Sequence, residues 1–215
     1  MLGLARFMPP RPLVPHTFEP LTREYDGYIF DCDGTLADSM PLHFEAWQQA
    51  LVSHAAPFVF DWELFVSRAG KTLEVTVQEL NQQFSAALDA IEVARLQRKI
   101  YAELLPSVGP VAEVVALVHE LRHKYPLAVA SGSDRRTVET TLANLGILDF
   151  FNAIVTAEDV VHGKPAPDMF LLAAERIGVP PENCVVFEDS LLGIEGARRA
   201  NMGVSLVRSV TATSS

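Results

Sequence analysis

The chain has only two cysteines, no long apolar run and fewer basic than acidic side chains, and each shortage closes off a class of protein. Cys32 and Cys184 both sit inside apolar, strand-like runs instead of in facing loops. That argues against a disulfide framework and fits a reducing compartment such as the cytoplasm. The apolar runs are strand-sized, well short of the roughly 18 residues of a membrane span, so a soluble protein with no membrane partner is expected. Against 27 Asp and Glu stand 17 Lys and Arg, a formal net charge of -10 that repels nucleic acid and anionic membrane surfaces. An anionic small molecule would then need cations concentrated locally. Pro9, Pro10, Pro12, Pro15 and Pro20 crowd the start of the chain, where no continuous apolar segment precedes a small-residue cleavage site, and no signal peptide is read there. Residues 1–21 are instead expected as an extended arm laid on the surface, or as disorder. A monomer is the expected state.

What is present is an ordinary globular composition of 215 residues, 49% apolar and 20% charged, enough to bury a substantial core. Tyr28-Ile29-Phe30 reads as a short buried strand that delivers Asp31 and Asp33 into a turn at Gly34. Two acids at the mouth of a buried strand are costly unless something cationic meets them, and a divalent metal is the obvious partner. From Pro41 to Val52, the residues Leu42, Ala46, Trp47, Ala50 and Leu51 recur at helical spacing, and the pattern stays helical from Asp61 to about Leu105. Beyond Pro110, which suits the first turn of a helix, helices alternate with apolar strands at 127–130, 153–155, 184–187 and 204–207. The repetition predicts an α/β protein with a parallel, Rossmann-like sheet, helices on both faces and ligands at the carboxyl ends of the strands. The strand at 28–30 finds partners only in the later half, which makes the helical stretch an insertion. The expected organisation is an arm at 1–21, a core made of 22–38 and 110–215, and an all-helical cap at 39–109. Two neighbouring crossings between cap and core make a natural hinge.

Under this topology the strand ends gather Asp31 and Asp33, Ser131, Lys164, and Glu188 with Asp189. Several acids, one lysine and a hydroxyl describe a magnesium-assisted phosphoryl-transfer centre. Other motifs fail on single residues. Ser67 to Thr72 ends like a P-loop, but Phe65 stands where its first glycine belongs. Gly193 and Gly196 resemble the end of a dinucleotide fingerprint whose first glycine would fall at Leu191. A calcium loop starting at Asp31 would place its bidentate glutamate at Leu42.

Tyr28-Ile29-Phe30-Asp31-Cys32-Asp33-Gly34-Thr35, then Ser131, then Lys164-Pro165-Ala166-Pro167-Asp168, then Glu188-Asp189-Ser190 follow one another in the order of four motifs. In this the chain, from about Tyr25 to Val207, resembles the haloacid dehalogenase superfamily, and within it the branch of β-phosphoglucomutases and small sugar-phosphate phosphatases. The resemblance implies a parallel-sheet core with an inserted helical cap, and a phosphomonoester hydrolase. It implies Asp31 as the nucleophile that forms an aspartyl-phosphate, and Asp33 as the general acid and base. It further implies Mg2+ held by the carboxylates of Asp31 and Asp189 and the backbone carbonyl of Asp33, with Glu188 assisting. Ser131, with the backbone near Gly132, would hold a phosphoryl oxygen, while Lys164 cancels charge on phosphate and on Asp31. Thr35 would support the loop and orient Asp33. Gly70 and Lys71 fall where the related enzymes carry a substrate-specificity loop, and His43 lies one turn into the cap, so all three are candidate substrate contacts. Where β-phosphoglucomutases place an arginine for a second phosphate, this chain has Leu73. The expected reaction is therefore hydrolysis of a small phosphorylated metabolite, with β-phosphoglucomutase as the alternative.

Plainer readings stand beside these. The acids at 31 and 33 also suit a capped turn, Glu188 and Asp189 suit a helix N-cap, and Ser131 suits capping the next helix. Lys164 and Lys71 suit solvated loops, His43 a partly buried helix position, and Trp47 the core.

Overall fold

A computed structural model of the chain describes residues 16–68 and 71–209. Most of the proline-rich arm, through residue 15, and Gly70 lie outside these described residues.

Six strands form one sheet: β1 (His16–Phe18), β2 (Gly27–Phe30), β3 (Leu127–Ala130), β4 (Ala153–Val155), β5 (Cys184–Glu188) and β6 (Gly203–Ser209). Their order is β1-β6-β5-β2-β3-β4, with every pair parallel except the edge pair β1 and β6. β2 is a central strand, and all four of its residues are buried. Successive side chains point to opposite faces, so a strand covered on both must be apolar throughout, as this one is.

Among the described residues are eight α-helices: α1 (Met40–Ser53), α2 (Trp62–Val66), α3 (Leu73–Phe84), α4 (Ala90–Leu104), α5 (Ala112–Leu121), α6 (Arg135–Asn144), α7 (Asp168–Ile177) and α8 (Leu191–Arg199). On one face of the sheet, Tyr28 and Phe30 pack with Val114 and Val118 of α5 and with Val138 and Leu142 of α6. On the other, Ile29 packs with Met169, Phe170 and Ala173 of α7 and with Ala197 of α8. The sheet is thus doubly covered, as the βαβ rhythm predicts. Local chemistry sets the helix ends. Asp89 and Asp134 accept backbone N–H groups at the starts of α4 and α6, and Gly178, at φ +71°, closes α7.

The first four helices have a core of their own, built on Phe44, Trp47, Phe65, Val77, Leu80 and Val93. Two crossings connect this helical unit to the sheet, and they lie side by side. Asp38 N–H donates to the Gly109 carbonyl and Val111 N–H to the Leu36 carbonyl, both at 2.9 Å. This pairing corrects the placement of Pro110 in a first helical turn. Pro110 bridges to Ala37, Val111 stays extended, and α5 begins only at Ala112. The strand β1 also went unread in the sequence. It is three residues long, antiparallel, and anchored by Phe18, whose ring meets Phe187 edge-on at 5.4 Å.

Candidate active site

The parallel register carries the site. Phe30 pairs with Val129 of β3 and with Phe187 of β5, so Asp31, Ser131 and Glu188 leave the sheet along one edge. Asp31 N–H donates to the Phe187 carbonyl at 3.0 Å and Ser131 N–H to the Val155 carbonyl at 2.9 Å, which extends the ladder to the site itself. Asp31 is only 5% exposed. Lys164, in the loop after β4, reaches its Oδ1 at 2.5 Å and Glu188 Oε2 at 2.7 Å. Glu188 Oε1 accepts from the N–H and hydroxyl of Ser190, and the Ser190 hydroxyl in turn caps α8 through Gly193 N–H. The N-cap is therefore Ser190, which leaves Glu188 and Asp189 free for other work.

Burial, followed by the charge of Glu188, pushes the Asp31 carboxyl well above its ordinary range even though Lys164 pulls it down. The same two causes raise Asp189 to about 7. Burial acts to discharge Lys164, but the charges and hydrogen bonds of Asp31 and Glu188 outweigh it and hold the ammonium. One lysine cannot balance three acids. Oxygens of Asp31, Glu188 and Asp189 all lie within 4.8 Å of one another. An all-oxygen set with surplus negative charge fits a hard divalent cation. Two glycines make room for the acids. At Gly34 (φ +87°) an added Cβ would run into the Asp189 carboxylate, and at Gly193 it would run into that of Glu188.

Asp33 turns its carboxylate elsewhere. Its Oδ1 accepts from Ser39 Oγ at 2.8 Å and from the Tyr101 hydroxyl at 3.2 Å, with His43 Nε2 at 3.6 Å. Its Oδ2 accepts from Ser133 Oγ at 2.7 Å. Burial alone would raise this carboxyl, but His43 and the hydroxyls reverse the sign and hold it below the ordinary range. Ser39, Ser133 and Tyr101 escaped the sequence reading. Ser133 follows Ser131 by two residues and Ser39 begins a helix, which were faint signals, whereas Tyr101 is 68 positions from Asp33 and had none. Thr35 does not orient Asp33; its hydroxyl donates to Asp189 Oδ1 at 3.3 Å.

The remaining candidates separate. Ser131 is buried, and its hydroxyl accepts from Ser133 N–H at 3.1 Å, while Asp134 caps α6 in its place. Beside it, an added Cβ at Gly132 would meet only open space. His43 joins the Asp33 cluster. Lys71 is paired with Glu79 at 2.6 Å, and Gly70 is outside the described residues.

Comparison with known proteins gives the family. The sequence model of the haloacid dehalogenase-like hydrolases matches residues 25–201. The chain belongs to that family. Among its haloacid dehalogenase-like relatives, the fructose-1-phosphate phosphatase of Escherichia coli (strain K12) is 39% identical over 185 residues, 86% of this chain and 97% of that protein. A phosphorylated carbohydrates phosphatase of Thermotoga maritima is 33% identical over 181 residues, 82% of each chain. The crystal structure of CbbY from Rhodobacter sphaeroides in complex with phosphate superimposes with a TM-score of 0.72 at 24% identity, over 84% of each chain, and shares the fold.

Proposed function

We propose that the protein is a Mg2+-dependent phosphatase of small sugar phosphates that works through an aspartyl-phosphate on Asp31. The observation that carries this reading is the placement of Asp31. It is a buried carboxylate at the edge of a parallel sheet, held by Lys164 and converging with Glu188 and Asp189. Asp31 attacks phosphorus; the new Asp31 O–P bond forms as the bond to the sugar oxygen breaks, and Asp33, which enters this step in its acid form against the pull of His43 and the hydroxyls, gives that alkoxide its proton. Asp33 then takes a proton from the water that attacks the phosphoryl group, which frees Asp31 and phosphate. Lys164 offsets charge on the phosphate, and Ser131 with the backbone at Gly132 holds its oxygens. Asp31, Glu188 and Asp189, with the backbone carbonyl of Asp33, would hold Mg2+, which supplies charge neutralisation for carboxylates and phosphate together. The helical unit acts as a cap over this centre, since α1 and α4 bring His43 and Tyr101 onto Asp33.

Sugar phosphates are favoured as substrates because relatives over nearly the whole chain are named for them. Leu73, at the start of α3, offers no cation to a second phosphate, and hydrolysis is preferred over mutase chemistry on that ground. A panel of sugar phosphates with Mg2+ tests the reading. The wild type is expected to release phosphate, and Asp31→Asn to lose essentially all turnover. Substantial Mg2+-dependent hydrolysis by that variant would sink the mechanism. Conversion of β-glucose 1-phosphate to glucose 6-phosphate without free phosphate, given a trace of bisphosphate, would overturn the preference for hydrolysis.

A further inference from the structure

Asp33 is gripped from three parts of the chain at once. Ser133 holds it from the loop after β3, Ser39 from the first crossing, and His43 with Tyr101 from the helical unit. Of these, Tyr101 is the contact supplied by α4. Its side chain is buried, its hydroxyl donates to Asp33 Oδ1, and its ring lies flat on that of His43, 3.7 Å between centroids and 9° between planes. A buried tyrosine hydroxyl needs a hydrogen-bond partner, and here that partner is the side chain to which the proposed mechanism gives the proton. We propose that Tyr101 is a positioning residue for the reaction: it sets the Asp33 carboxylate for proton transfer to the leaving oxygen, and ties that setting to the seating of α4. The phenol is suited to the task. A phenol hydroxyl is a neutral hydrogen-bond donor, and this one is aimed at the carboxylate. The inference rests on the reading of Asp33 as general acid.

Tyr101→Phe removes only the hydroxyl and keeps the ring on His43. The informative quantity is kcat/KM, which covers the steps up to release of the leaving group. It is compared for a sugar phosphate, whose alkoxide needs a proton to leave, and for p-nitrophenyl phosphate, whose phenolate does not. The ratio of the first value to the second is expected to fall about tenfold or more in Tyr101→Phe, a fraction of the 10² to 10⁴ that general acid catalysis typically supplies. Equal losses on both substrates, or none, would overturn the inference. A higher KM for both with kcat retained would also overturn it, by making Tyr101 a substrate contact. Asp33→Asn is run in parallel and is expected to shift the ratio further. If it leaves the ratio unchanged, the general-acid reading has failed, and the fault is not with Tyr101. Thermal unfolding of both variants confirms that they are folded.

Discussion

At Gly193 an alanine would ordinarily help a helix by about 1 kcal/mol. Here the sign is expected to reverse. The added methyl group would strike the Glu188 carboxylate, and that side chain cannot swing away because it is 1% exposed and bonded to both Lys164 and Ser190. Gly193→Ala should therefore lower the unfolding midpoint and weaken Mg2+ dependence of turnover, by thermal melts and a Mg2+ titration. A stabilised variant with an unchanged titration would show that Glu188 has room to move. At this scale, much of the site was legible beforehand. Asp31, Ser131 and Asp189 each follow a strand, Glu188 ends one and Lys164 lies in the loop after another, and strand ends can be read from apolar runs. The groups around Asp33 were not, because Ser133 and Tyr101 reach it through space and carry no local pattern.

Among the elements, the loop after β4 has to present Lys164, and Asp159 pins its start. The Asp159 carboxylate accepts from Arg135 at 2.6 Å, Arg176 at 2.8 Å and both the N–H and hydroxyl of Thr156, which ties the loop to α6 and α7. Burial would raise its pKa, but the Arg176 and Thr156 hydrogen bonds bring it down to about 2. A depressed folded pKa adds stability above the unfolded value of about 3.9 and loses it as pH falls toward 2. Asp159→Asn is expected to cost about 1–3 kcal/mol near pH 6 in urea unfolding, with the gap to wild type closing between about pH 5 and pH 2. A gap that does not change with pH would mean that the charge is immaterial. Helices and central strands were legible because periodicity and capping residues report them. β1 was not, since an edge strand of three residues has too few positions to show alternation.

For the whole molecule, the helical unit and the sheet have separate cores joined at two paired crossings. Both tryptophans, Trp47 and Trp62, fall in the helical unit, so their fluorescence follows that unit while far-UV circular dichroism follows the entire chain. Leu80→Ala, at a fully buried position of the helical core, is expected to cost about 2–5 kcal/mol and to move the fluorescence transition ahead of the dichroism transition. Coincident transitions would mean that the two cores unfold as one.

By itself the sequence determined the α/β class, and it offered a helical stretch, the acids at the strand ends and Lys164 as candidates. Short-range pattern encodes all of these: period, punctuation, and the residue that follows each buried run. Tertiary structure alone decided the partners. It set Lys164 between Asp31 and Glu188, gave Thr35 to Asp189 and left Lys71 with Glu79. It also closed Ser39, His43, Tyr101 and Ser133 around Asp33. Such contacts depend on how helices and strands pack across the sheet edge, and residues distant in sequence meet there only after the chain has folded.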